Sequence, residues 1–179
     1  MRRGLSIKRS GRQPISVAEK SMVTSPKSLS RSSSSAVSAG TIVSSLLTVQ
    51  TSGRGFTDLT AEIAKFAKDA RAKEGAVTLF IRHTSASLTI QENADPTVLD
   101  DLTTALDALA PEDAGWRHDT EGPDDMPAHV KTMLTATSLH IPVLESELML
   151  GTWQAVYLIE HHSRPHRREI VLQFAGVTG

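Results

Sequence analysis

The sequence predicts an α+β domain in which a largely antiparallel sheet is flanked by helices. Three observations point there. Segments whose apolar residues recur at three and four alternate with β-branched, aliphatic runs, so both periodicities are present in one chain. The C-terminal third holds several strand-like runs joined by short connections, which favours antiparallel pairing over a doubly wound parallel sheet. The composition is that of a globular protein, with 39% of 179 residues hydrophobic and 22% charged.

The elements follow in order. Thr41–Thr51 is β-branched and aliphatic up to Gly53 and reads as a first strand. Gly53 and Gly55 make a turn, and Thr57 stands where a helix N-cap belongs. Across Asp58–Lys73, Leu59, Ile63, Phe66, Ala67 and Ala70 form one apolar face, and Gly75 is the stop signal. Ala76–Arg82 and Ser87–Gln91 read as strands. Pro96 starts a helix to about Leu109, with Val98, Leu99, Leu102, Leu106 and Leu109 as its apolar stripe. Ala110–Asp125 is polar and rich in turn residues, hence a long loop. Pro127, at a first helical position, opens a helix to about Thr135. Ser138–Val143, Trp153–His161 and Arg168–Phe174 are strands, with Glu147–Leu150 a possible short fourth.

A net charge of −1 conceals two unlike segments. Residues 1–36 carry eight Lys and Arg against the single Glu19 and end in a run of serines, whereas the remainder has 11 basic and 19 acidic residues. A Ser-rich basic stretch without hydrophobic periodicity cannot bury enough apolar area to offset the entropy of ordering it, so residues 1–36 are expected to be a disordered tail. An organellar transit peptide, an arm for polyanions, or no role at all are the readings open to it. The absence of cysteine excludes a disulfide framework, a thiolate zinc site and a cysteine nucleophile. No apolar run approaches the ~18 residues of a membrane helix, and the overall charge offers no case for nucleic acid. A cytoplasmic protein is expected.

Polar chemistry concentrates at four places: His83–Ser87, Gln91–Asp95, His118–Lys131 and Gly151–Gln154, the last opening a strand that ends in Glu160, His161 and His162. Without cysteine, a metal site must draw on His with Asp or Glu. His118 and His129 are spaced so that convergence is allowed though not required, and His83 at a strand end offers a third nitrogen. Surface histidines are the alternative. His140 reads as structural. His161, His162 and His166 stand among Arg164, Arg167 and Arg168, the pattern of a solvated turn or of a phosphate contact. Ser85 or Ser87 beside a histidine is a conceivable nucleophile, but no G-x-S-x-G elbow surrounds either.

The strings HTSASLTIQENAD (83–95), HDTEGPDDMPAHVK (118–131), SLHIPV (138–143) and LGTWQAVYLIEH (150–161) together resemble the YjbQ family, also called UPF0047 and labelled secondary thiamine-phosphate synthase enzyme. The likeness spans nearly all of residues 41–176 and leaves the tail outside, so 37–179 is expected to be a single YjbQ-like domain. The resemblance implies a sandwich-like sheet arrangement, a homotrimer, and a pocket between the HTSA turn and the MPAHVK helix. It also implies that His83, His118 and His129 gather around a metal ion or a phosphate-like anion. Where the family commonly has Asn before Met-Pro-Ala-His, this chain has Asp125, a carboxylate able to orient His129 or to weaken anion binding.

Three functions then compete. A thiamine-phosphate synthase, a transferase joining hydroxymethylpyrimidine diphosphate to thiazole phosphate, needs cations and N–H donors on the departing diphosphate. Lys131, Arg82, Thr84 and Ser85 suit that task, and Glu92, Asp95 or Glu121 would hold Mg²⁺. A trio of histidines suits zinc instead, and a hydrolase of a small phosphorylated or ester substrate would use Glu121 or Glu92 as its base. A trimeric ligand-binding module without catalysis is the third. The candidate set is His83, Glu92, Glu121 and Lys131 for catalysis, Thr84, Ser85, Asn93, Asp95, Trp153 and Gln154 for ligand contact, and His83, His118 and His129 for metal. For Trp153, core or interface packing is the competing role.

Overall fold

A computed structural model describes residues 30–31 and 33–179. Most of the tail expected over residues 1–36 lies outside the described residues. Residues 33–40 are exposed and without regular secondary structure.

From there the order is β1 (Thr41–Gln50), β2 (Gly55–Asp58), α1 (Thr60–Asp69), β3 (Ala72–Ile81), β4 (Ala86–Glu92), α2 (Thr97–Leu109), α3 (Asp125–Leu134), β5 (Ser138–Leu144), β6 (Glu147–Leu148), β7 (Gln154–Glu160) and β8 (Arg167–Thr178). Every strand pairs antiparallel. One sheet has five strands in the order β1-β8-β3-β5-β6, the other three in the order β2-β7-β4. The α+β class and the antiparallel sheets match the sequence expectation.

Strand alternation places the core. Val77, Leu79 and Ile81 of β3, Ile141 and Val143 of β5, and Ile170, Leu172 and Phe174 of β8 point inward from the large sheet. They meet Ala86 and Leu88 of β4, Val156 and Leu158 of β7, and the α1 residues Ile63 and Ala67. Burying one such aliphatic side chain contributes roughly 1.5–3 kcal/mol, so this layer is the main stabiliser of the domain. A bridge between Leu88 and Ala136 ties the two sheets where α3 leads into β5.

Four local expectations need correction. The segment around Thr57 is strand β2, paired with β7 through Thr57 and Leu158, because that pairing supplies partners a lone turn would lack. Helix α1 therefore begins only at Thr60, where Asp58 Oδ1 accepts the backbone N–H. Gly75 does not end α1; the helix stops at Asp69, and Arg71 takes the turn at φ +52°. Gly75 instead lies opposite Gly176 in the β3–β8 pair, where a Cβ would fall 2.3 Å from the Ala175 carbonyl oxygen, so only glycine fits. Helix α3 starts at Asp125, two residues before Pro127. Proline is tolerated there because the first-turn N–H groups have no helical partner to lose.

Candidate metal centre

The site is built where three segments meet: the β3–β4 turn, the loop entering α3 with its first turn, and the β7–β8 connection. Asp125 and His129 are one helical turn apart on α3 and so share a face. His118, on the preceding loop, completes a group whose ligand-type atoms all lie within 4.8 Å of one another. The rings of His118 and His129 are 5.6 Å apart.

The hydrogen bonds of this group define its electronics. His129 Nδ1 sits 3.0 Å from the Thr84 carbonyl oxygen. A carbonyl can only accept, so Nδ1 carries the proton and Nε2 of the neutral ring has a free lone pair. That nitrogen is 3.7 Å from Asp125 Oδ2. His118 Nε2 is closer, at 2.7 Å from the same oxygen. Even so, Asp125 Oδ2 is a buried atom without a hydrogen-bond partner. Three ligand-type atoms this close together could share one ion. The donor set of two imidazoles and one carboxylate is that of a catalytic zinc-type centre.

Behind Asp125 lies a second buried layer. His162 faces Asp125 Oδ1 through Nε2 at 3.4 Å and Asp124 Oδ1 through Nδ1 at 3.5 Å. Burial works against the charge on Asp124, but the Ser163 N–H and hydroxyl, donating at 2.8 and 2.7 Å, and the neighbouring His162 outweigh it and hold the carboxyl at about 2. Deeper still, Glu160 accepts two bonds from the buried Arg168 guanidinium and one from Thr51. Burial pushes Glu160 up, and these donors, with the His162 N–H, bring it below the usual carboxylate range.

Several expected residues fall elsewhere. His83 does not join His118 and His129 within the chain. Its Nε2 accepts the Glu169 N–H at 3.0 Å, which removes the lone pair a metal would need; Asp125 takes the third position. Burial first, and then Arg168, lower the His83 pKa, so the ring is a neutral wall residue. It lines a cleft with Thr84, His129, Thr132, Met133, Thr135 and Thr137, of about 460 Å³, which adjoins a further hollow that includes Arg82 and Ser85. Lys131 is 2% exposed with Nζ 2.5 Å from Asp107 Oδ1, so it is neutralised beneath α2 and does not reach the cleft. Ser87 does pair with a histidine, His161, at 2.9 Å, but it is wholly buried and no substrate can approach it. Burial and then Lys131 push His161 down to about 3, so it too is neutral.

Glu92, Asn93, Trp153 and Gln154 occupy the opposite end of the small sheet. Register pairs Ala86 with Glu160 at one end and Glu92 with Gln154 at the other, six residues or about 20 Å away. Asp95 accepts from the Thr97 N–H and hydroxyl at the start of α2, and those bonds, the hydroxyl's first, lower its pKa. Gln154 closes a turn onto Gly151. Glu121 is exposed, and its carbonyl oxygen takes the Arg164 guanidinium. Another cavity, of about 630 Å³, lies between α1 and the β5–β6 hairpin and is lined by no histidine. Sequence reasoning missed Asp124, His162 and Ser163. The adjacent Asp124–Asp125 pair was the one available signal, since nothing local tells that the run after Glu160 folds back beneath it.

An antiparallel two-sheet α+β domain presenting a His-Asp-His cluster beside a hydroxyl-lined cleft defines the class of protein. The sequence model of the UPF0047 protein YjbQ-like family matches residues 45–177, and the chain belongs to that family. A UPF0047 protein of Synechocystis is 48% identical over 73% of this chain and 90% of its own length. The UPF0047 protein YjbQ of Escherichia coli O157:H7 is 40% identical over 73% and 95%. Among solved structures, an uncharacterised YjbQ/UPF0047 protein from Clostridium acetobutylicum superposes with a TM-score of 0.68 at 32% identity, covering 72% of this chain and 98% of that one. A conserved hypothetical protein from Thermus thermophilus gives 0.64 at 37% identity, covering 71% and 97%.

Proposed function

We propose that the protein is a divalent-metal hydrolase of a small phosphorylated or ester substrate, with zinc the best-matched ion, held by His118, Asp125 and His129. The observation that carries this is Asp125 Oδ2: a buried carboxylate oxygen without a hydrogen bond, facing two imidazole nitrogens. Leaving such an acceptor unsatisfied costs roughly 1–3 kcal/mol, which a cation would remove. An ion held by His118, Asp125 and His129 would supply Lewis acidity, lowering the pKa of a water to about 7. The chain's own residues supply the rest. Thr84 O fixes the His129 tautomer, and the Thr84 and Ser85 hydroxyls with the His83 Nδ1–H offer neutral donors to a substrate in the cleft. The synthase alternative has less support, because Lys131 is bound to Asp107 and Glu92 and Asp95 lie at the far end of the small sheet.

The same proposal includes a homotrimer. On the outer face of the large sheet, Leu46, Val171 and Phe80 are side by side by register, with Leu46 and Phe80 about half exposed. A contiguous apolar row of this kind marks an interaction surface. Light scattering should report three copies, and Phe80→Glu should yield a smaller species. A monomeric wild type would overturn this part.

The decisive experiment is elemental analysis of the purified chain together with zinc affinity from competition with a chromophoric chelator. One ion per chain is expected, along with hydrolysis of a generic phosphate ester that stops on chelation and is absent in His118→Ala. A chain that binds neither zinc nor manganese above micromolar levels would overturn the metal centre. Binding without hydrolysis would move the function to a ligand-binding module.

A further inference from the structure

We infer that His162 is a positioning residue of the metal centre, the link in a chain Ser163–Asp124–His162–Asp125 that aims Asp125 Oδ2 at the ion. This rests on the metal reading above. Four observations meet in it. His162 is 6% exposed, in a stretch whose sequence looks like a solvated basic turn. Its two ring nitrogens face two different buried carboxylates, Asp124 and Asp125, at 3.5 and 3.4 Å. Asp124 is itself anchored by two donors from Ser163 and, although it is the N-cap residue of α3, its carboxylate makes no capping bond. Finally, His162 Nδ1 is a second buried atom without a hydrogen bond.

His162 is packed with a carboxylate facing each ring nitrogen, so its place limits how Asp125 can turn. With Nε2 facing Oδ1, Asp125 can offer only Oδ2 to the His118–His129 side. Carboxylates around metals are ordinarily restrained by such outer partners, whose removal costs 10–100-fold in affinity. His162 touches neither the cleft nor His118 or His129 in the contacts described, so its effect is on ligand aim.

The test compares wild type, His162→Ala, His162→Gln and Ser163→Ala by zinc competition and by the visible spectrum of the cobalt form. Circular dichroism and thermal unfolding establish that each variant is folded. A 10–100-fold weaker affinity in His162→Ala with an altered cobalt band, partly restored by the amide in His162→Gln, is the expected result. Ser163→Ala, an exposed site whose variant folds even where the buried ones do not, should weaken zinc a few-fold by loosening Asp124. Affinity within twofold of wild type in every folded variant would overturn the role of His162 while leaving the centre intact. A wild type that binds no ion would overturn the centre, and the role of His162 with it.

Discussion

The two ends of the small sheet make an instructive pair. Both carry dense polar sequence: HTSAS and HHSR at one end, QENAD and GTWQ at the other. At the first end Asp124, Asp125 and His162 are buried and face one another across elements remote in sequence, and two of their atoms lack partners. At the second the groups are exposed and answered locally, Asp95 by Thr97 and Gln154 by Gly151. Polar density alone thus says little about a site. What separates the ends is whether tertiary contacts remove water from the groups without satisfying them, since only then is free energy held for a ligand.

Arg168→Ala should give the largest effect. It leaves Glu160 charged and buried beneath the histidine end, and loss of about 3–5 kcal/mol in urea unfolding is expected. The acid limb comes next. His161 falls from 6.5 to about 3 in the folded chain, so the unfolded state binds more protons between those values. Stability should be whole above about pH 6.5 and decline as pH falls through that window. His161→Gln, measured by unfolding at a series of pH values, should flatten the slope there; an unchanged slope would mean His161 is not the titrating group. Third, Asp125→Asn should weaken zinc about 100-fold, equivalent to ~2.7 kcal/mol, while Glu92→Gln should stay within twofold. Equal losses would erase the distinction between the ends. Smallest is Asp95→Ala, which removes the exposed bonds to Thr97 at the start of α2 and should lower the unfolding midpoint only slightly, with zinc affinity unmoved.

Much of the fold was legible. The strands from Ser138 onward and the helices over Thr97–Leu109 and the MPAHVK segment stand close to where periodicity puts them. Strand β2 was not, because four residues acquire strand character only by pairing with β7. At the site, His118 and His129 were readable as candidates, and Asp125 as a carboxylate beside them. The misplacement of His83 turns on one bond from the Glu169 N–H, 86 residues along the chain.

Residue types and local spacing, on their own, determined the α+β class, the lack of cysteine chemistry, the family likeness and the one-turn pairing of Asp125 with His129. Those properties depend on neighbours a few positions away. Which histidine supplies the lone pair, which lysine is silenced by Asp107, and why His162 is buried between two aspartates were decided by the tertiary structure alone. Burial and hydrogen-bond partners arise from contacts distant in sequence, and these set whether a polar group is solvated, satisfied or left facing an ion.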